Sequence, residues 1–144
     1  MTSLPTDNPR IMIVEDEALV AIQIEGVLTD AGYTVVGYSD TMEGSLAIAE
    51  TSQPDLALCD IRLVNLSGID VARQLKERGI PSLFVTGNCA TSEGADVGIG
   101  CLHKPFDGRR LIDAVRVVTA VVNGGVVPEL PASMHLFGDP EQSS

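Results

Sequence analysis

Five short apolar runs, each followed by a stretch of helical period, constrain this chain more than any other feature. The runs are Ile11–Val14, Thr34–Tyr38, Leu56–Cys59, Ser82–Thr86 and Ile99–Leu102. They are short and mostly aliphatic or β-branched, the pattern of strands buried on both faces. Helical spacing follows them at Ala18, Ala21, Ile22, Val27 and Leu28, then at Leu46, Ile48 and Ala49. It returns at Ile69, Val71, Ala72 and Leu75, and at Leu111, Ile112, Val115 and Val118. Asp40 with Glu43, Ser67 and Asp107 stand where N-caps belong, while Gly32, Gly79 and Asn123–Gly125 stand at the stops. Residues 87–99 carry Gly87, Gly94 and Gly98, so any helix there is short and soft.

Strand–helix alternation repeated five times implies an α/β fold: a doubly wound five-stranded parallel sheet with helices on both faces. Right-handed crossovers leave few topologies, and the flavodoxin-like order 2-1-3-4-5 suits this length. That order makes the first and third strands neighbours and places the switch point at their carboxyl ends. Glu15 and Asp16 then stand beside Asp60, with Thr86 and Lys104 flanking them from the fourth and fifth strand ends. Three adjacent carboxylates repel one another and need a partner. An all-oxygen cluster without Cys or His suits a hard cation, and Mg²⁺ is the usual ion for a few carboxylates plus a phosphate. With an ammonium at Lys104 and a hydroxyl at Thr86, the site reads as a receptor for a phosphoryl group carried by Asp60. Gly87 leaves room for backbone to approach an oxyanion.

The 144 residues are 44% apolar and 20% charged, enough for one core-forming domain. Residues 1–9 read as a flexible leader, 10–122 as the domain and 123–144 as a flexible tail. The formal charge of −11 argues against a nucleic-acid footprint. There is no span long enough for a bilayer and no secretory leader, so the expectation is a cytoplasmic protein that engages neither membrane nor nucleic acid. Cys59, Cys89 and Cys101 are odd in number, lack metal-site spacing, and read as reduced, largely buried thiols. Arg109, Asp113 and Arg116 share a helix face and read as an exposed ion-pair ladder.

Taken together, Ile13-Val14-Glu15-Asp16-Glu17, Leu58-Cys59-Asp60, Gly68, Phe84-Val85-Thr86-Gly87 and Lys104-Pro105-Phe106 resemble a bacterial response-regulator receiver domain. The resemblance spans roughly residues 10–122. It implies a single-domain regulator of a two-component or phosphorelay system, not an enzyme in the ordinary sense. Asp60 would be the phosphoacceptor, supplied by a sensor histidine kinase or a histidine phosphotransfer protein. Mg²⁺ would be held by Asp16 and Asp60, by Glu15 through water and by the backbone carbonyl of Arg62. Thr86, Gly87 and Lys104 would bind phosphoryl oxygens, Arg62 and Asn88 would modulate its lifetime, and the Lys104–Pro105 bond would be cis. A downstream protein target would read the face formed by residues 87–99, the fifth strand and the last helix, the face that also serves homodimers in the family.

The chain departs from the family in three places. Cys101 stands where an aromatic switch residue is usual, Leu63-Val64 replaces a frequent Met-Pro, and no effector domain is expected. The Phe-x-Thr-Gly stretch and the missing aromatic are similar to stand-alone receivers of general stress signalling. The alternative is a phosphorylation-independent pseudo-receiver that acts as a protein-binding module. An aspartate-nucleophile phosphatase would need an acid at the position of Arg62. A flavodoxin-like carrier would not place acids where flavin phosphate must sit.

Overall fold

The structure is a computed structural model that describes residues 9–87, 89 and 94–137. The elements run β1 (Arg10–Val14), α1 (Ala18–Asp30), β2 (Thr34–Ser39), α2 (Met42–Ser52), β3 (Leu56–Cys59) and α3 (Gly68–Glu77). They continue with β4 (Ser82–Thr86), β5 (Gly100–His103), α4 (Gly108–Asn123) and β6 (Met134–Leu136). The sheet order is β2-β1-β3-β4-β5-β6. The first five strands are parallel in the expected order, and β6 adds an antiparallel strand at the β5 edge.

Alternation along the central strands feeds two layers. Ile11, Ile13, Leu56, Leu58, Leu83, Val85 and Leu102 face α1 and α4, where Ile24, Leu28, Leu111, Val115 and Val118 meet them. Met12, Val14, Ala57, Cys59, Phe84 and Cys101 face the other way, toward Ala49 of α2 and Ile69, Val71, Ala72 and Leu75 of α3. Strand β3 is buried along its whole length, which explains its unbroken apolar run.

Ser67 and Asp107 cap their helices as the sequence suggests, accepting from the Ile69 and Arg110 amides. Asp40 does not. Thr41 caps α2 instead, its Oγ1 accepting from the Gly44 amide at 2.9 Å. The buried Ser39 hydroxyl accepts from the Thr41 amide and holds this corner, so the helix begins one residue later and Asp40 stays exposed.

The tail departs most from expectation. Residues 134–136 pair with β5 rather than remaining loose, in the register Gly100↔Leu136, Cys101↔His135 and Leu102↔Met134. The amide of Phe137 extends the ladder to the Ile99 carbonyl at 3.0 Å, and that of His103 reaches the Ser133 carbonyl at 2.9 Å. Met134 is buried on the α1–α4 side, and Phe137 packs on the other side with its ring 6.3 Å from that of Phe84. The approach needs Gly100, because a Cβ there would lie 2.5 Å from the His135 carbonyl oxygen. A three-residue strand carries no period of its own; the free edge of β5 induces it.

The cysteine expectation also needs correction. Cys59 is a free buried thiol, but Cys89 and Cys101 form a disulfide with their Cα atoms 6.0 Å apart. A separation of 12 residues gives no sequence signature. The pair becomes neighbours only because β5 lies alongside β4.

Gly68 is the tightest point beneath the strand ends. A Cβ there would overlap the Asp60 carbonyl oxygen, and the Gly68 amide donates to the Ile61 carbonyl at 2.7 Å. Gly68→Ala is expected to destabilise the fold by about 3 kcal/mol or more, at the upper end of overpacking costs. Urea unfolding of both proteins measures it.

Candidate functional site

Ladder hydrogen bonds running just past the strands position the acidic groups. The Glu15 amide donates to the Ser39 carbonyl at 3.0 Å, carrying the β1–β2 pairing one residue further. The Asp60 amide donates to the Val14 carbonyl at 2.9 Å and does the same between β3 and β1. On the other side the Lys104 amide donates to the Thr86 carbonyl at 2.7 Å, fixing the end of β5 to the end of β4. The Lys104–Pro105 peptide is cis.

Side chains from the ends of β1, β3 and β5 converge here. Lys104 Nζ donates to Glu15 Oε1 at 2.8 Å and to Asp60 Oδ2 at 3.1 Å. The other Asp60 oxygen, Oδ1, accepts from the Arg62 amide at 3.1 Å, and Glu15 Oε2 accepts from the Glu17 amide at 3.2 Å. Oxygen atoms of Glu15, Asp16 and Asp60 lie within 4.8 Å of one another. Glu15 and Asp60 are buried, while Asp16 is half-buried and opens the cluster to solvent. Thr86 ends β4, buried to within 2%. An open cleft of about 700 Å³, lined by Asp16, Asp40, Thr41, Met42, Glu43, Val64, Asn65 and Leu66, borders the cluster.

One ammonium among three carboxylates leaves the site negative. Burial pushes the Glu15 carboxyl above its ordinary range, and the Lys104 hydrogen bond only partly offsets this. Burial also works against the Lys104 ammonium, but its bonds and charge interactions with Glu15 and Asp60 outweigh that and hold it above its usual value. The remaining deficit, with oxygen donors only, fits a hard divalent cation. Asp16, Asp60 and Glu15 are the residues that could hold it, and the Arg62 amide, at the start of the 61–67 loop, is bonded to Asp60.

Several expected groups stand elsewhere or are bound differently. Gly87 is exposed, and a Cβ there would meet nothing within 4 Å, so steric room for backbone does not depend on glycine. Asn88 lies outside the described residues. Cys101 is buried in the α2–α3 layer and bonded to Cys89. The apolar residues of that layer include Phe84 and, packed against it from the tail, Phe137. Cys59, next to Asp60, donates to the Gly68 carbonyl at 3.3 Å, and burial together with the Asp60 and Glu15 charges keeps its thiol protonated. The Asp113–Arg116 pair is present at 3.7 Å and exposed. Ser39, which holds both Glu15 and the α2 corner, escaped the sequence reading because a serine ending a strand carries no distinct signal.

The profile of the response regulator receiver domain matches residues 11–116. The chain belongs to that family. The transcriptional regulatory protein PdtaR of Mycobacterium tuberculosis is 28% identical over 116 residues, covering 77% of this chain and 57% of PdtaR. DltR of Streptococcus agalactiae is 34% identical, covering 76% of this chain and 51% of DltR. The chain thus spans about half the length of these curated relatives. Among solved structures, the response regulator PhyR from Brucella abortus superposes with a TM-score of 0.65 at 30% identity, over 80% of this chain and 48% of PhyR. A CheY-like receiver protein from Methanospirillum hungatei gives 0.71 at 24% identity, over 81% of this chain and 97% of its own, and shows the shared fold. Receivers are signalling domains rather than conventional enzymes. Among the described residues, no helix of this receiver is long and apolar enough to cross a membrane.

Lys104→Met would strand two carboxylates in the site. A loss of about 2–3 kcal/mol is expected at pH 7, below the cost of breaking a fully buried pair because Lys104 keeps some exposure. Glu15, already raised, would rise further. A raised folded-state value leaves stability intact below the unfolded carboxyl pKa and removes it as pH climbs, so the deficit should shrink as pH falls toward 4.5. Urea midpoints of both proteins across that range test the sign.

Proposed function

We propose that this receiver is a phosphorylation switch, or a phosphate shuttle in a relay, with Asp60 as the phosphoacceptor. The observation that carries the reading is the Lys104 ammonium, bonded at once to Glu15 and to Asp60 at the mouth of a three-carboxylate cluster. In the transfer, an Asp60 carboxylate oxygen attacks the phosphorus of a phosphohistidine on a sensor kinase or phosphotransfer protein. The P–N bond breaks as the new P–O bond forms, and the imidazole leaves with its electron pair and takes up a proton. Lys104 then shifts from carboxylate to phosphoryl oxygen, joined by the Thr86 hydroxyl, so charge in a loose transition state meets prepositioned donors. Mg²⁺ on Asp16, Asp60 and the Arg62 carbonyl, with Glu15 through water, would supply the remaining positive charge.

The downstream event in this reading is a population shift in which phospho-Asp60 draws Thr86 inward and alters the β5–α4 face for a protein target. A homodimer through that face would meet β6 alongside β5 rather than a bare sheet edge. A cytoplasmic setting agrees with a kinase partner. The second reading, a binding module that never carries phosphate, is favoured by one observation: the switch position holds a disulfide-bonded cysteine in place of an aromatic.

Intact mass after incubation with acetyl phosphate separates the two. A single phosphoryl adduct is expected, dependent on Mg²⁺ and absent from Asp60→Asn. No adduct on the wild-type chain would overturn the switch in favour of the binding module.

A further inference from the structure

We propose that Cys89 and Cys101 form a reversible redox site, and that thiol–disulfide exchange there sets how readily the neighbouring phosphoryl site accepts phosphate. The inference rests on the phosphoacceptor reading above.

Cys89 lies three residues after Thr86, and Cys101 three residues before Lys104, so the bridge joins the chain leaving β4 to the strand that delivers the ammonium. The same two strands are paired through Phe84↔Cys101 and Thr86↔His103, and Lys104 donates its amide to Thr86. Ladder and bridge tie Thr86 and Cys89 separately to β5 and its end. An inward movement of Thr86 then works against two links to β5, the ladder and the bridge. Opening the bridge removes one of those two anchors while the ladder stays.

The two sulfurs differ in access. Cys101 is 1% exposed, in the apolar layer that also holds Phe84 and Val97, whereas Cys89 is half-buried against that layer. An external thiolate can therefore reach Cys89 Sγ, with Cys101 as the leaving group. For a small dithiol as reductant, one thiolate attacks Cys89 Sγ and the Cys89–Cys101 bond breaks. Cys101 departs as a thiolate and takes a proton. The second thiol of the reductant then attacks the mixed disulfide and releases Cys89 as a thiol. Two electrons and two protons pass to the protein, and the reductant becomes a disulfide. Glutathione disulfide reverses the process. Cys59 takes no part, because it is fully buried, keeps its proton and is bonded to the Gly68 carbonyl.

The bridged form should resist the shift that accompanies phosphorylation, with a coupling in the ordinary range for linked sites, about fivefold or more. The test uses the full chain, oxidised with glutathione disulfide or reduced with dithiothreitol, and counts alkylated thiols by intact mass. Adduct formation from acetyl phosphate and Mg²⁺ is then timed in both states, for wild type, Cys89→Ser and Cys101→Val. The expected result is formation at least about fivefold slower in oxidised wild type, with both variants indifferent to redox state. Equal rates in the two wild-type states would overturn the inference and leave the phosphoacceptor reading standing. So would a redox effect that persists in the variants, or failure of glutathione disulfide to close the bridge. Absence of an adduct in every state would remove the phosphoacceptor reading, and this inference with it.

Discussion

Two carboxylates buried at the ends of adjacent strands, held by one ammonium from a strand 89 positions away from Glu15, set the terms for the rest of this receiver. Charges out of water are costly, and the bond from Lys104 offsets only part of that cost. The sheet order is what makes the offset available. With β1 and β3 side by side, Glu15 and Asp60 cannot avoid each other, and β4 and β5 bring Lys104 across to them. The residual negative charge, on oxygen donors alone, suits a hard cation.

Everything nearby serves to keep those groups fixed. Ladder bonds continuing past β1 and β3 pin their ends, the Ser39 corner anchors the Glu15 amide, and Gly68 lets α3 close against the Asp60 carbonyl. The two apolar layers bury the sheet on both faces and hold the strand ends in register. At the far edge the same sheet behaves differently. There β5 is short, paired on its outer side by a three-residue strand from the tail and bridged by a disulfide to the segment leaving β4. The site thus has one side at the central strands β1 and β3 and another near the sheet edge, where β6 and the disulfide are the added links.

The parts read directly from sequence are those whose signal is contained within one element. Strands β1, β3 and β4 are apolar runs, α3 and α4 carry strong apolar stripes with Ser67 and Asp107 as caps, and the strand order follows from alternation and handedness. Glu15, Asp16 and Asp60 are brought together as that order requires, and Thr86 and Lys104 stand at the ends of their strands. The cap of α2 shifted from Asp40 to Thr41 because the decision lay with Ser39, a buried contact outside the helix.

Sequence alone determined the α/β architecture and which acids share a strand end, because period and chain order are local properties that few topologies satisfy. Tertiary structure alone decided that Cys89 meets Cys101, that Met134–Leu136 becomes a strand and that Phe137 lies by Phe84 in the layer around Cys101. Each of these needs a partner supplied by the folded edge of β5. Neither a three-residue segment nor two cysteines 12 residues apart encode such a partner in their own pattern.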